Sequence, residues 1–139
     1  MKQRIFPGSN IGILGGGQLG KMLCLAAQRL GYKVHIYSDN QGNPAIPISD
    51  SYTIGSFNDL SKIKKFSENC TLVTFETENI PGEALKTVSK YADIAPNIKS
   101  LQITQDRLQE KKFLGDNNIK TANFLELKND TDLKKNKKL

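Results

Sequence analysis

The chain has 139 residues, enough for a single hydrophobic core, and carries 20 Lys+Arg against 14 Asp+Glu for a formal charge of +6. Hydrophobic residues make up 37%, and no apolar run approaches the ~20 residues that cross a bilayer, so a folded domain without a membrane span is expected. The lysines are dispersed or gathered in the last twelve residues, with no basic stripe interleaved with aromatics, which argues against nucleic acid as a partner.

In chain order, Asn10–Leu14 (NIGIL) predicts a short buried strand. After GGGQLG, residues Leu19, Met22, Leu23, Ala26, Ala27 and Leu30 recur at helical spacing, and Gly31 stands where a helix C-cap glycine belongs. Lys33–Tyr37 (KVHIY) is a second strand, and the unit predicts a right-handed parallel crossover. Asp39–Pro47 is a loop rich in Asn, Gly and Pro, and Ser51–Ile54 a short strand. Asp59–Ser67 reads as a helix, Thr71–Phe75 as a strand, and Pro81 suits the first position of a helix continuing through Glu83–Tyr91. Asp93–Ala95 is a short strand stopped by Pro96. Asn97 can cap Ile98–Ile103, and Asp106–Asn117 reads as an amphipathic helix. Strands alternating with helices in this way predict an α/β fold with a parallel sheet. Leu127–Leu139 (LKNDTDLKKNKKL) reads as a disordered, Lys-rich tail.

Three segments could carry chemistry. Gly15, Gly17 and Gly20 fit G-x-G-x-x-G between a strand and a helix, with Gly16 inside the turn. Such a turn bares amide groups at a helix start, where an anion is favoured, and Asp39 stands roughly where a ribose-binding acid is expected. The same turn also serves plain helix packing. The second segment, Phe75–Pro81 (FETENIP), should leave the carboxyl edge of the sheet, where ligands of open α/β sheets bind. Glu76 and Glu78 alternate, so one can face a crevice while the other bonds to the protein. Acids that merely favour a helix dipole explain the segment equally well. The third is Gln105-Asp106-Arg107, whose arginine can pair with a phosphate or simply lie on a helix surface. His35, the one histidine, sits inside a predicted strand as a packed residue. Cys24 and Cys70 lack metal-type spacing and read as small buried residues of a reducing cytoplasm. No metal site is expected.

Together, GILGGGQLGKMLCLAAQRLGYKVHIY, VTFETENIP and APNIKSLQITQDRLQEKKFLGDNNIKTANF resemble the N-terminal part of the 5-(carboxyamino)imidazole ribonucleotide synthase family, of the ATP-grasp superfamily. The resemblance implies a Rossmann-like pre-ATP-grasp domain over residues 1–96, a helical connector over 97–125 and a tail over 126–139. It implies cytoplasmic purine biosynthesis, in which ATP with Mg2+ activates bicarbonate and the carboxyl group passes to aminoimidazole ribonucleotide. By position, Gln18 and Leu19 resemble residues that face the ribonucleotide. Glu78, with Glu76 behind it, resembles an acidic contact to its ribose or amine, and Arg107 an ATP contact. After IKTANF the family continues into the ATP-grasp domain, whereas this chain ends in LKNDTDLKKNKKL. The expectation is a truncated synthase that binds no ATP or Mg2+ stably and is inactive alone, completed by a separately encoded ATP-grasp domain or by self-association, as in the homodimer of the family. Two other readings remain: an NAD(P)-binding domain of an oxidoreductase, and a non-catalytic module that docks on a partner.

Overall fold

A computed structural model describes residues 4–127. Five strands, β1 Asn10–Leu14, β2 Lys33–Ser38, β3 Ser51–Ile54, β4 Leu72–Phe75 and β5 Asp93–Ile94, form one sheet in the order β3-β2-β1-β4-β5. Every neighbouring pair is parallel. The helices are α1 Gln18–Arg29, α2 Leu60–Glu68, α3 Gly82–Val88, α4 Ile98–Thr104 and α5 Arg107–Asp116, with a 3-10 turn at Ile46–Ile48. This is the parallel α/β sheet predicted by the alternating patterns.

The chain winds outward from β1 through β2 to β3, then returns to lay β4 on the other side of β1. The direction of winding reverses there, so the carboxyl edge between β1 and β4 is the topological switch point. The β1–β4 register pairs Leu14 with Phe75, and both strands end at the same level.

Strand alternation divides the core between the two faces. Leu14, Tyr37 and Val73 pack with Ile63 and Phe66 of α2 and with Ala84, Leu85 and Val88 of α3. Ile13, Val34 and Ile36 pack with Cys24 of α1 and with Ala45 and Ile46. Burial of this size contributes roughly 1.5–3 kcal/mol per large apolar side chain.

Local signals place the helix ends. The Asp59 carboxylate accepts the Lys62 N–H at 3.0 Å and starts α2. Asn97 accepts the Ser100 N–H at 2.9 Å at the start of α4. Gly31, at φ +83°, turns the chain after α1. Pro81 precedes α3 rather than opening it, and α3 ends at Val88, three residues short of the predicted Tyr91.

The apolar stripe of α1 marks the helix correctly but not its buried face. Gly20 and Cys24 are buried, whereas Leu19, Met22, Leu23, Leu25 and Leu30 are exposed. At Gly20 the helix comes so close to the turn that a Cβ would stand 2.5 Å from Gly15 O, whereas further along Leu23, Ala27 and Leu30 line an apolar groove with Ile11, Ile13 and Leu72 of the sheet.

By compactness the chain divides into residues 1–101 and residues 102–139. The second unit contains α5, capped by the Asp106 carboxylate, which accepts the Gln109 N–H at 2.8 Å. Asp106 is thus the cap rather than the first helical residue. No residue of α5 is fully buried, and Phe113 is exposed, so the amphipathic reading of this helix finds no buried face. Of the predicted tail, residues 128–139 lie outside the described residues.

Candidate functional site

The turn after β1 is shaped by contacts that only glycine permits. Gly15 continues the ladder by donating its N–H to Tyr37 O at 2.9 Å, but its φ of +111° is hostile to a side chain. A Cβ on Gly15 would stand 2.5 Å from the Glu76 side chain, and one on Gly20 would stand 2.5 Å from Gly15 O. Gly16 lies over Ser38, whose Oγ would be 2.8 Å from a Cβ there. Ser38 is held by Asn43, which donates its Nδ2–H to Ser38 Oγ at 2.7 Å.

Glu76 follows β4 and belongs to the same turn. Its N–H donates to Leu14 O at 3.1 Å, which extends the β1–β4 ladder by one step. Its Oε1 accepts the Gly17 N–H at 3.0 Å, and Gly17 is the residue that caps α1. A backbone amide at a helix N-terminus with the positive end of the dipole behind it is an anion seat, and here a carboxylate of the protein occupies it. The two loops at the switch point are therefore tied together through one side chain.

Glu78, two residues on, is exposed. Asn79 donates its N–H to Thr77 Oγ1 at 3.2 Å, which bends the loop, and buried Ile80 anchors its far end in the core. Glu76 is half-buried and bonds to Gly17, whereas the side chain of Glu78 is exposed. Gln18 opens α1 and is exposed, and Leu19 beside it keeps 58% of its surface. The edge thus presents Gln18 and Leu19 on one loop and Glu78 on its neighbour. Asp39, the residue considered for a ribose, lies just past β2 and is exposed. Ser38 and Asn43, which support Gly16 from below, carry no motif in the sequence and were not singled out there.

Arg107 belongs to the second unit. It opens α5, is exposed, and pairs with Glu110 one turn on. His35 is buried: its Nε2 lies 2.8 Å from Thr53 Oγ1, and its ring meets Phe66 edge-on at 5.0 Å. Burial lowers its pKa and keeps it neutral. Cys24 and Cys70 are buried free thiols. Burial raises both, with Asp50 adding to the effect at Cys24, and Cys70 is pushed up to about 12. Among the described residues no group of three or more His, Cys, Asp or Glu could hold a metal ion, and no helix is long and apolar enough to cross a membrane.

A five-stranded parallel sheet with flanking helices, a switch point between β1 and β4 and a glycine turn opening α1 define a Rossmann-like domain. The chain matches the ribonucleotide synthetase preATP-grasp domain family over residues 9–105 and belongs to that family. It is 37% identical over 121 residues to the N5-carboxyaminoimidazole ribonucleotide synthase of Brucella melitensis, covering 87% of this chain and 33% of that protein. It superposes on an ADP complex of N5-carboxyaminoimidazole ribonucleotide synthetase with a TM-score of 0.90 and 33% identity, over 97% of this chain and 36% of that one. The Aspergillus clavatus synthase, in complex with ADP and 5-aminoimidazole ribonucleotide, gives a TM-score of 0.70 at 29% identity, over 86% of this chain and 32% of that one. The chain therefore spans about a third of the length of these synthases. They are enzymes of purine biosynthesis, and the oxidoreductase reading finds no support among them.

Proposed function

We propose that this chain supplies one wall of the aminoimidazole ribonucleotide site of an N5-carboxyaminoimidazole ribonucleotide synthase. The observation that carries this is the Glu76–Gly17 hydrogen bond, which holds the Gln18–Leu19 turn and the Glu78 loop at one sheet edge. The Aspergillus relative, which shares the fold, was crystallised with that ribonucleotide. In this reading Gln18 and Leu19 line the ligand, and Glu78 accepts hydrogen bonds from its ribose hydroxyls or amine. Glu76 acts mainly through the turn, and Arg107 pairs with ATP phosphate. ATP with Mg2+ would supply the activation of bicarbonate. The chain spans about a third of the length of these synthases, and in this reading the groups that hold ATP and Mg2+ for turnover lie beyond the described residues. Those groups would come from an ATP-grasp domain, with assembly as a homodimer as a further possibility of the same reading. The setting is the cytoplasm, in keeping with two buried free thiols.

The test is a titration of the 15N-labelled chain with aminoimidazole ribonucleotide. Amides of Gln18, Leu19 and Glu78 should shift saturably, and Glu78→Gln should weaken binding about tenfold, the cost of one charge-assisted hydrogen bond. Shifts confined to residues away from this edge would overturn the assignment. Carboxylation of the ribonucleotide by the purified chain alone would overturn the need for a further domain.

A further inference from the structure

A Rossmann-type glycine turn normally leaves its helix N-terminus open to a phosphate, yet here Glu76 fills that place. We propose that Glu76 is a specificity-determining residue: a resident carboxylate that closes the Gly15–Gly20 turn to pyrophosphate ligands. This goes beyond the ribonucleotide reading and does not depend on it.

Three observations carry it. The Glu76 Oε1 accepts the Gly17 N–H at 3.0 Å, so the amide at the start of α1 is already paired with an anion. The side chain also fills the volume of the turn: it is the nearest neighbour of a Cβ placed at Gly15, at 2.5 Å, or at Gly17, at 3.0 Å. Finally, the Glu76 backbone is held at the sheet edge, because its N–H continues the β1–β4 ladder at Leu14 O. The side chain thus starts from a fixed point beside the turn, and the bond to the Gly17 N–H sets its carboxylate there. A pyrophosphate approaching Gly17 would meet a like charge in a partly buried setting and lose the amide it needs. At Gly15 and Gly17 the space a side chain would take is filled by the Glu76 side chain. A glycine pattern that reads as an open cradle thus describes a closed one.

The experiment uses the full chain with inorganic pyrophosphate as the probe, read by the Gly17 amide resonance, with circular dichroism to establish folding. In the native chain the Gly17 resonance should not move saturably at millimolar pyrophosphate. Glu76→Gln keeps an oxygen that can accept the Gly17 N–H but loses the charge, and should bind several-fold more tightly than the native chain. Glu76→Ala opens the volume as well, and should bind at least about tenfold more tightly, with an effect that weakens as salt is raised. Saturable binding at Gly17 by the native chain with the affinity of the variants would overturn the proposal. A folded Glu76→Ala chain with no gain would do the same. Should Glu76→Ala fail to fold, Glu76→Gln decides: an unchanged affinity at Gly17 overturns the proposal. A chain that fails to bind aminoimidazole ribonucleotide but passes this test would defeat the ribonucleotide reading alone.

Discussion

At the scale of single residues, close approach governs what each position tolerates. Gly20 faces the Gly15 carbonyl, and a Cβ 2.5 Å from that oxygen meets backbone that cannot swing away. Gly20→Ala is expected to cost about 2–3 kcal/mol, seen as a lower urea midpoint with an unchanged slope. His35 shows the effect of a buried base. Its pKa is lowered from 6.5 by burial, so the unfolded chain takes up a proton first as pH falls. Its contribution is complete above pH 6.5 and is lost progressively as pH drops below that value toward the lower folded pKa. The urea midpoint should therefore fall between about pH 7 and about pH 5.5, and His35→Gln should flatten that slope. The cysteines follow the same logic in the other direction. With Cys70 at about 12 and Cys24 raised by burial, neither should react with a thiol-specific disulfide reagent at neutral pH until the chain unfolds.

At the scale of elements, the ends of helices are held by short polar side chains. Asp59 and Asp106 each accept an N–H from the first turn they precede. Asp59→Ala should cost about 1 kcal/mol of the stability of the first unit, measured by urea denaturation. Gly115 lies within α5 with nothing near a built Cβ and no positive φ, so Gly115→Ala should raise the helical signal and add about 0.5–1 kcal/mol. Elements were largely legible because caps and apolar runs are local: Asp59, Asn97, Asp106 and Gly31 each sit at or beside a predicted helix end. The buried face of α1 was not legible. Its periodic leucines identify a helix, but the face that turns inward carries Gly20 and Cys24, and the contact of Gly20 with the Gly15 carbonyl lies outside the periodic pattern.

At the scale of the whole molecule, the order β3-β2-β1-β4-β5 decides which loops meet. β1 and β2 form the middle of the sheet with the most buried side chains, among them Ile13, Leu14, Val34, Ile36 and Tyr37. Amide hydrogen exchange should be slowest there and faster in two-residue β5 at the edge. By itself the sequence determined the alternation of strands and helices, the parallel class of sheet, the glycine turn and the family resemblance, since each of these rests on local spacing or on ordered motifs. It also placed Glu76 and Glu78 after one strand and left open which of them faces a ligand. The pairing of Glu76 with Gly17 was decided only by tertiary structure. Gly17 and Glu76 are 59 residues apart, and their hydrogen bond exists because winding reverses at β1 and sets β4 beside it. A contact made by sheet order leaves no period and no spacing in the chain. A turn that looks open to a phosphate can therefore be filled by a carboxylate from a distant loop.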